Sequence, residues 1–140
     1  MRFEESAVTL RVRPNDLDSL GHVNNATALE YLEAGRWAWL DQHALRRTAR
    51  VLPVVAKIEV SYRREILPQE VVVHTRVESP RSDELEEESV IYRASFRQQI
   101  LIDGSAQVAV DALVQVAFID VAERSLRSLQ DFLASARNRP

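Results

Sequence analysis

The residues best suited to chemistry lie in a short acidic segment, 15–22. Asp16 and Asp18 flank Leu17, and His22 follows Asp18 by four positions. A carboxylate can act as a general base or as a nucleophile, and an imidazole can orient substrate or water. Because the chain has no cysteine, thiolate nucleophiles and cysteine metal sites are excluded. The segment is therefore a candidate for carboxylate chemistry, although from the residues alone Asp18 would more often be a turn residue.

A helix is predicted directly after the acidic segment. Gly21 allows a tight turn, and Asn24 or Asn25 is a good N-cap for a helix that begins near Ala26. The first amide N–H groups of a helix have no partner within the helix. We therefore expect these donors to point at the loop that carries the carboxylates, where they favour negative charge.

The predicted helix continues to about Arg47 and is apolar around much of its circumference. At about 100° per residue its apolar side chains cover roughly 200°, which indicates a helix that other structure surrounds over most of its girth. Arg36 lies within this arc, so its charged end must extend to water or meet a carboxylate, with Asp16 as a candidate partner. The arc consists of Ala28, Leu29, Tyr31, Leu32, Gly35, Ala38, Trp39 and Leu40.

After the helix the hydrophobic period changes from 3.6 to 2, which predicts strands. One strand before the helix (7–13) and four after it (54–63, 71–78, 90–97 and 108–119) give a five-stranded antiparallel sheet, with Asp103-Gly104 as a hairpin signal. Residues 126–137 predict a short closing helix. Because only the long helix can cover the apolar face of the sheet, we predict a single α+β domain, 1–140, in which the sheet curls around one long central helix.

Composition excludes several classes of protein. The net charge of −3 gives no footprint for nucleic acid, and no apolar run approaches the roughly 18 residues of a membrane span. The acidic N-terminus is unlike a signal peptide, and the absence of cysteine fits a reducing cytoplasm. Leu113, Ala117 and Ile119 lie on the second face of the last strand, and in an isolated sheet they would be exposed to solvent. This favours a homodimer or homotetramer.

The segment 13–36, RPNDLDSLGHVNNATALEYLEAGR, resembles the hotdog-fold acyl thioesterases. It is most similar to the 4-hydroxybenzoyl-CoA thioesterase-like branch, which includes bacterial acyl-CoA hydrolases and plant acyl-ACP thioesterases. The resemblance implies that Asp18 is the catalytic carboxylate, that Asn25 offers its backbone N–H to the thioester carbonyl, and that His22 matches a functional histidine of the plant enzymes. The chain departs from the plant pattern at Leu20, where those enzymes have asparagine. It departs from many bacterial relatives at Ala28, where they have an aromatic residue, which implies a differently shaped acyl pocket.

The activity that this resemblance implies is hydrolysis of an acyl-CoA or acyl-carrier-protein thioester to a carboxylic acid and a thiol, without metal or cofactor. Asp18 would attack the carbonyl carbon or take a proton from water, and the helix N-terminus would hold the oxyanion. Val23 and Asn24 adjoin Asn25 in the predicted substrate site. Asp16 is predicted to cap the turn or to pair with an arginine. Coenzyme A would bring phosphates to the rim, where the predicted contacts are Arg63, Arg64 and Arg81.

Two other functions fit parts of the pattern. Hotdog hydratases and dehydratases act on enoyl or hydroxyacyl thioesters, but those relatives have D-x-N-x-x-H. Here the spacing from Asp18 to His22 is one residue shorter and the asparagine is absent. A non-catalytic module that binds an acyl thioester could keep the fold and lose the acid, and the presence of Asp18 argues against it. The leading prediction is therefore a thioester hydrolase.

Overall fold

In a computed structural model that describes residues 2–85, 89–102 and 105–137, six strands form the main body of the chain. The strands are β1 (Ser6–Arg11), β2 (Val51–Tyr62), β3 (Glu70–Ser79), β4 (Arg93–Ile102), β5 (Val108–Asp120) and β6 (Leu126–Arg127). The helices are α1 (Asn25–Gln42), α2 (Ser82–Leu85) and α3 (Leu129–Ala136), and a 3-10 turn spans Pro14–Asp16. The predicted hairpin at Asp103-Gly104 lies outside the described residues.

All the strands pair antiparallel in one sheet, in the order β1-β3-β4-β5-β2, with β6 on β5. The prediction of five strands was wrong, because the two residues of β6 had been assigned to the closing helix. That helix begins later because Ser128 caps it. The Ser128 hydroxyl accepts a hydrogen bond from the Asp131 N–H at 3.0 Å, and the Asp131 carboxylate accepts one from the Ser128 N–H at 3.3 Å. The α+β class with an antiparallel sheet is confirmed.

A β-bulge at Ala56 changes which side chains of β2 lie on the same face of the sheet as Val114 and Val116. Val55 pairs with Val116 and Ile58 pairs with Val114, so β2 has one additional residue between these two pairs. The predicted alternation of β2 is therefore right from Ile58 onward. Before the bulge it was wrong by one residue, because Val55 shares the face of Val116.

Helix α1 ends at Gln42, well before the predicted end at Arg47. Ala44 has a φ of +54°, in the left-handed region, and the N–H of Leu45 returns to the carbonyl of Leu40 at 2.9 Å. The Leu45 side chain is only 1% exposed, so its burial stabilises this reversal. An alanine occupies the position where helices usually place glycine, so the sequence contains no local stop signal.

Helix α1 packs mainly on β1 and β3 and also contacts β4. The closest approach is at Gly35, where a Cβ atom would lie 2.5 Å from Cγ1 of Val73 and 2.9 Å from Oγ1 of Thr75. No helix among the described residues has the length and apolarity needed to cross a membrane. The most deeply buried side chains between helix and sheet include Leu32, Val71, Val73, Ile100, Val110, Val114 and Phe118.

The second face of β5 is less exposed than predicted. Ala117 is buried, and Leu113 and Ile119 are half-buried. Glu59 and Arg97 lie opposite Leu113 on the two neighbouring strands. Exposed apolar side chains occur instead on β2 and α1, namely Val54, Val55, Tyr62 and Trp37. An argument for self-association therefore rests better on that surface.

Candidate active site

The loop 17–23 is a closed turn that brings His22 opposite Asp18. Leu17 and Val23 form an isolated antiparallel bridge, and the Asp18 N–H donates to the His22 carbonyl at 2.8 Å. Gly21 has a φ of +85°, and its N–H donates to the Asp18 carbonyl at 3.1 Å. Glycine adopts this left-handed conformation without steric cost, so the tight turn predicted at Gly21 is confirmed.

Asp18 and His22 are also in contact through their side chains. Oδ2 of Asp18 lies 3.0 Å from Nδ1 of His22. Oδ1 of Asp18 accepts hydrogen bonds from the N–H of Leu20 at 2.9 Å and from the N–H of His22 at 3.3 Å. The two side chains are 28% and 20% exposed, so both remain accessible to a small molecule. An ionised Asp18 places the imidazole proton on Nδ1, which makes Nε2 an acceptor.

Helix α1 begins with an open backbone donor. Asn24 is the N-cap: its side-chain oxygen accepts a hydrogen bond from the Ala26 N–H at 2.8 Å, and its carbonyl accepts one from the Ala28 N–H at 3.0 Å. Within the part of the chain that the structure describes, the N–H groups of Asn25 and Thr27 have no hydrogen-bond partner. The N–H of Asn25 is therefore available at the positive end of the helix.

A cleft of about 250 Å³, the first cleft, lies beside the start of α1 and the end of β2. Asp18 does not line this cleft. Its side chain contacts His22, which does. Among the described residues, no three His, Asp or Glu side chains are grouped to hold a metal ion. The cleft brings together five of the predicted site residues, His22, Val23, Asn25, Arg63 and Arg64.

Two residues of the first cleft with polar side chains, Tyr62 and Glu65, were not predicted. The Tyr62 hydroxyl donates to the Asn25 carbonyl at 2.9 Å, which ties the end of β2 to the start of α1. Oε1 of Glu65 lies 3.8 Å from Nε2 of His22. Tyr62 belongs to the apolar alternation of its strand, and Glu65 simply follows that strand. These two residues reach the cleft because β2 ends beside the N-terminus of α1. No local sequence pattern indicates that arrangement.

The three arginines predicted at the substrate rim have different surroundings. Nη2 of Arg63 donates to Oδ2 of Asp111 at 3.2 Å, which partly neutralises its charge. No carboxylate of the described residues lies within 4.0 Å of the Arg64 guanidinium. Arg81 follows the far end of β3, where its Nε donates to Oε1 of Glu84 at 3.1 Å. Within one chain, Arg81 therefore does not reach the first cleft.

Asp16 pairs with an arginine, as the sequence predicted, and is 3% exposed. Its Oδ2 accepts hydrogen bonds from the Tyr31 hydroxyl at 2.6 Å and from the Arg13 N–H at 2.9 Å, and Nη2 of Arg13 lies 3.3 Å from its Oδ1. Burial raises the pKa of Asp16, but the hydrogen bonds from Tyr31 and Arg13 outweigh it, so the pKa lies below its usual value. Burial and the same contact raise the pKa of Tyr31. Asp16 thus anchors the turn to α1.

Comparison with known proteins gives one family over most of the chain. The Thioesterase-like superfamily model matches residues 12–136. Long-chain acyl-CoA thioesterase FadM from Escherichia coli (strain K12) is 30% identical over 124 residues, which cover 86% of this chain and 88% of FadM. The superfamily match includes the loop 17–23 and the start of α1.

Solved structures share the fold. The PA2801 protein from Pseudomonas aeruginosa superposes with a TM-score of 0.75 at 21% identity, covering 91% of this chain and 94% of that one. Slr0204, a 1,4-dihydroxy-2-naphthoyl-CoA thioesterase from Synechocystis, gives a TM-score of 0.74 at 15% identity, covering 94% and 93%. The family match, the relative and the solved structures of hotdog type therefore indicate one family. The chain therefore belongs to the thioesterase-like superfamily and is a thioester hydrolase.

Proposed function

We propose that this chain hydrolyses acyl-CoA thioesters to a carboxylic acid and coenzyme A, with Asp18 as the base or nucleophile. The observation that carries the proposal is that one cleft is lined by His22, whose Nδ1 contacts Asp18, and by Asn25, whose N–H is open. FadM, a relative over most of the chain, is a long-chain acyl-CoA thioesterase. A thioester is already an activated acyl group, so a base and an oxyanion donor suffice for its hydrolysis.

Asn25 would hold the thioester carbonyl during the reaction. Its backbone N–H donates to the carbonyl oxygen, and this bond strengthens as the oxygen becomes negative. The dipole of α1 adds to the same effect. One such donor contributes about 3 to 4 kcal/mol to the transition state in measured oxyanion holes. The proposal therefore requires the thioester carbonyl to lie at the start of α1.

Asp18 has two routes to the products. As a general base it takes a proton from water while the water oxygen attacks the carbonyl carbon, and the thiolate then leaves with that proton. As a nucleophile its oxygen forms a mixed anhydride and expels the thiol, and water then cleaves the anhydride to regenerate Asp18. Both routes consume one water and give one acid and one thiol. His22, 3.0 Å from Oδ2, orients the carboxylate in either route.

The substrate would enter along the rim formed by Arg63 and Arg64. Arg64 is the better candidate for a phosphate of coenzyme A, because Arg63 is already bonded to Asp111. Val23 and Asn24 shape the site next to Asn25, and Arg81 remains a prediction that needs a second subunit.

An assay with the same acyl group on coenzyme A and on acyl-carrier protein distinguishes the two substrate classes. Arg64→Ala should raise KM for the CoA thioester and leave kcat nearly unchanged.

We also propose that the chain forms a homodimer or homotetramer. β2 is an edge strand of the sheet, and an exposed edge invites pairing with another chain. Val54, Val55 and Trp37 are 42%, 45% and 45% exposed and lie along one cleft beside this strand. Light scattering of purified protein at micromolar concentration should give two or four times the chain mass of 16.0 kDa. A measured mass equal to that of one chain would contradict this proposal.

The test of the proposed function is thiol release from a panel of acyl-CoA thioesters by native protein and by Asp18→Asn. Turnover of the variant should fall at least about a hundredfold, since it loses the base. Asp41→Asn is the matched control, because Asp41 is exposed on the last turn of α1 and pairs with Arg47. Turnover of the control should be unchanged. Unchanged turnover in folded Asp18→Asn would exclude Asp18 from the mechanism.

The same assay separates the other two functions. A hydratase or dehydratase would change the absorbance of an enoyl thioester without releasing thiol. A non-catalytic module would bind acyl-CoA tightly and turn over none of the panel. Either result in native protein would overturn the proposed hydrolysis.

A further inference from the structure

Asp16 makes its contacts in a buried position at the base of the loop 17–23. The residue is 3% exposed, and its Oδ2 accepts hydrogen bonds from the Tyr31 hydroxyl at 2.6 Å and from the Arg13 N–H at 2.9 Å. Its backbone carbonyl accepts another hydrogen bond from the Asn24 N–H at 2.9 Å. One buried residue therefore contacts α1 both at its N-cap and at Tyr31.

These two contact points on α1 are far enough apart to fix an orientation. Asn24 and Tyr31 are seven residues apart, which is roughly 10 Å along the helix axis. A single hydrogen bond would let the loop pivot against the helix, whereas two bonds at this separation set both position and direction. The Tyr31 residue is 6% exposed, and its hydroxyl reaches back toward the start of α1, the direction in which helical side chains lean.

Arg36, which the sequence offered as a partner for Asp16, bonds elsewhere. Its Nη1 donates to Oε1 of Gln98 at 3.0 Å. The Gln98 side chain is fully buried, and its Nε2 donates to the Leu32 carbonyl and to Oγ1 of Thr75, each at 2.8 Å. These bonds hold α1 against the sheet independently of Asp16. A contact between Asp16 and the helix therefore acts on the loop, because the helix is already held.

The base of the loop also carries both groups of the proposed reaction. Asp18 follows Asp16 by two positions, and Asn25 follows the N-cap residue whose N–H Asp16 accepts. Leu17 and Val23 pair between them as an isolated bridge, so the loop moves as one closed unit. A shift of Asp16 against α1 would therefore move the Asp18 carboxylate relative to the Asn25 N–H.

We propose that Asp16 is a positioning residue for thioester hydrolysis. Through Tyr31 and Asn24 it sets the position of Asp18 relative to the Asn25 N–H, and it touches no reacting atom itself. This inference rests on the proposed function, because it assumes that the thioester carbonyl lies at Asn25.

The physical reason is the precision that this chemistry requires. The base and the oxyanion donor must meet at one carbonyl group, and a displacement of about 1 Å can cost roughly a hundredfold in rate. Burial raises the pKa of Asp16, but the hydrogen bonds from Tyr31 and Arg13 outweigh this effect, so the carboxylate is ionised at neutral pH. Hydrogen bonds to an ionised carboxylate are shorter and stronger than those between neutral groups. Asp16 therefore attaches the loop to the helix more stiffly than a neutral side chain would.

The competing explanation is that Asp16 only stabilises the fold. In that case loss of the Tyr31 hydroxyl would lower Tm and leave the folded enzyme with native kinetics. Measurement of kcat well below Tm separates the two explanations, because kcat of folded protein responds to the alignment of base and donor and not to the free energy of unfolding.

The experiment measures kcat and KM for thiol release from acyl-CoA by Tyr31→Phe, well below its Tm. The value of kcat should fall by roughly ten- to a hundredfold, because base and donor are no longer aligned. KM should change by less than about twofold, because the lost interaction acts in the transition state. Asp16→Asn is the conservative variant, since it keeps an oxygen for the Tyr31 hydroxyl, and it should retain more of kcat than Asp16→Ala.

Leu133→Ala is the matched control for lost stability. Leu133 is buried on α3, which packs mainly on β2 and β5. Its truncation leaves a cavity and lowers Tm without changing a contact of the loop. The folded control should therefore keep native kcat.

A double variant tests the route of the effect. Asn25→Pro removes the donor with which Asp18 is aligned. Addition of Tyr31→Phe should then lower kcat by less than about a further twofold, because residues that act as a unit are not additive.

Five results overturn the inference: native kcat in folded Tyr31→Phe, a rise in KM in place of the fall in kcat, the same kcat loss in Leu133→Ala, additive losses in the double variant, or equal losses in Asp16→Asn and Asp16→Ala. Asp16→Ala breaks the same hydrogen bond from the other side and covers the case in which Tyr31→Phe does not fold. If native protein hydrolyses no thioester, the proposed function fails. If Asp18→Asn loses turnover and Tyr31→Phe does not, only the inference about Asp16 fails.

Discussion

Nδ1 of His22 lies 3.0 Å from Oδ2 of Asp18, and it is His22 rather than Asp18 that forms the wall of the first cleft. This arrangement fits a carboxylate held by the imidazole, and it also fits an imidazole base held by the carboxylate. The two differ in which side chain touches the reacting atoms. His22→Gln distinguishes them, because glutamine can still donate to Asp18 but cannot act as a base.

If Asp18 acts on the substrate, His22→Gln should lower kcat by roughly tenfold or less, whereas Asp18→Asn loses about a hundredfold or more. The measurement is kcat for thiol release under saturating acyl-CoA. A larger loss in His22→Gln than in Asp18→Asn would assign the base to His22. Leu20→Ala is a suitable control, since Leu20 contributes only its backbone N–H to Asp18.

Asn25→Pro tests the oxyanion donor without removing the helix. Proline is tolerated at the first helical position, and Asn24 already has a ψ of 138°, which suits a residue before proline. Compared with Asn25→Ala, this variant lacks the backbone N–H, so its kcat should be lower by roughly a hundred- to a thousandfold. Asn25→Ala keeps the N–H and should keep most of the activity. Equal activity of the two variants would place the thioester carbonyl elsewhere.

Tyr31→Phe should destabilise the fold, because it removes the 2.6 Å hydrogen bond to the buried Asp16 carboxylate. Hydrogen bonds to charged groups contribute about 1.5 to 3 kcal/mol, and the free energy of unfolding in urea should fall by that amount. Tyr92→Phe is the control, since Tyr92 is 51% exposed and should change the free energy of unfolding little. A similar loss in both variants would contradict the structural role of Asp16.

Gly35→Ala should destabilise the chain by about 1 to 3 kcal/mol, the usual cost of overpacking a core. Its Cβ would lie 2.5 Å from Cγ1 of Val73, which cannot retreat from a fully buried site. Val73→Ala removes the clashing methyl groups. In a double-mutant cycle measured by urea unfolding, the double variant should therefore be more stable than the sum of the two single losses implies. Strict additivity would show that no clash exists.

Stability should depend on pH through Asp120. Its Oδ2 accepts a hydrogen bond from Nε of Arg50 at 2.9 Å, and its Oδ1 accepts from the N–H groups of Ala122 and Glu123, each at 3.0 Å. The bond with Arg50 and the backbone bonds lower the pKa of Asp120 to about 2. In the unfolded chain the Asp120 carboxyl has a pKa near 3.9, so the folded state binds this proton more weakly. The stabilisation is complete above about pH 4 and is lost as the pH falls toward about 2.

The measurement is Tm of native protein and Asp120→Asn across that acidic range. The difference between the two Tm values should be largest near neutral pH and should shrink below about pH 4. A difference that stays constant with pH would show that the carboxylate charge contributes nothing.

The features that the sequence predicted well are those with local signals. The signals of the turn at Gly21, the cap at Asn24 and the strand alternation depend only on residues close in the sequence. The loop, the start of α1 and most of the sheet were therefore predicted. The end of α1 was not found, because Ala44 is held left-handed by the burial of Leu45. The bulge at Ala56 depends on pairing with β5, and the proximity of Glu65 to His22 depends on where β2 lies. These are properties of the assembled sheet.

The amide of Gln98 has a further consequence for how the molecule accommodates a ligand. It donates hydrogen bonds to the Leu32 carbonyl of α1 and to Oγ1 of Thr75 on β3, so it fixes the middle of the helix to the sheet. Any sliding or rolling of α1 would break these bonds inside a dry interior, which is costly. An acyl group that binds beside α1 should therefore be accommodated by rearrangement of the surrounding side chains, while the helix itself keeps its position.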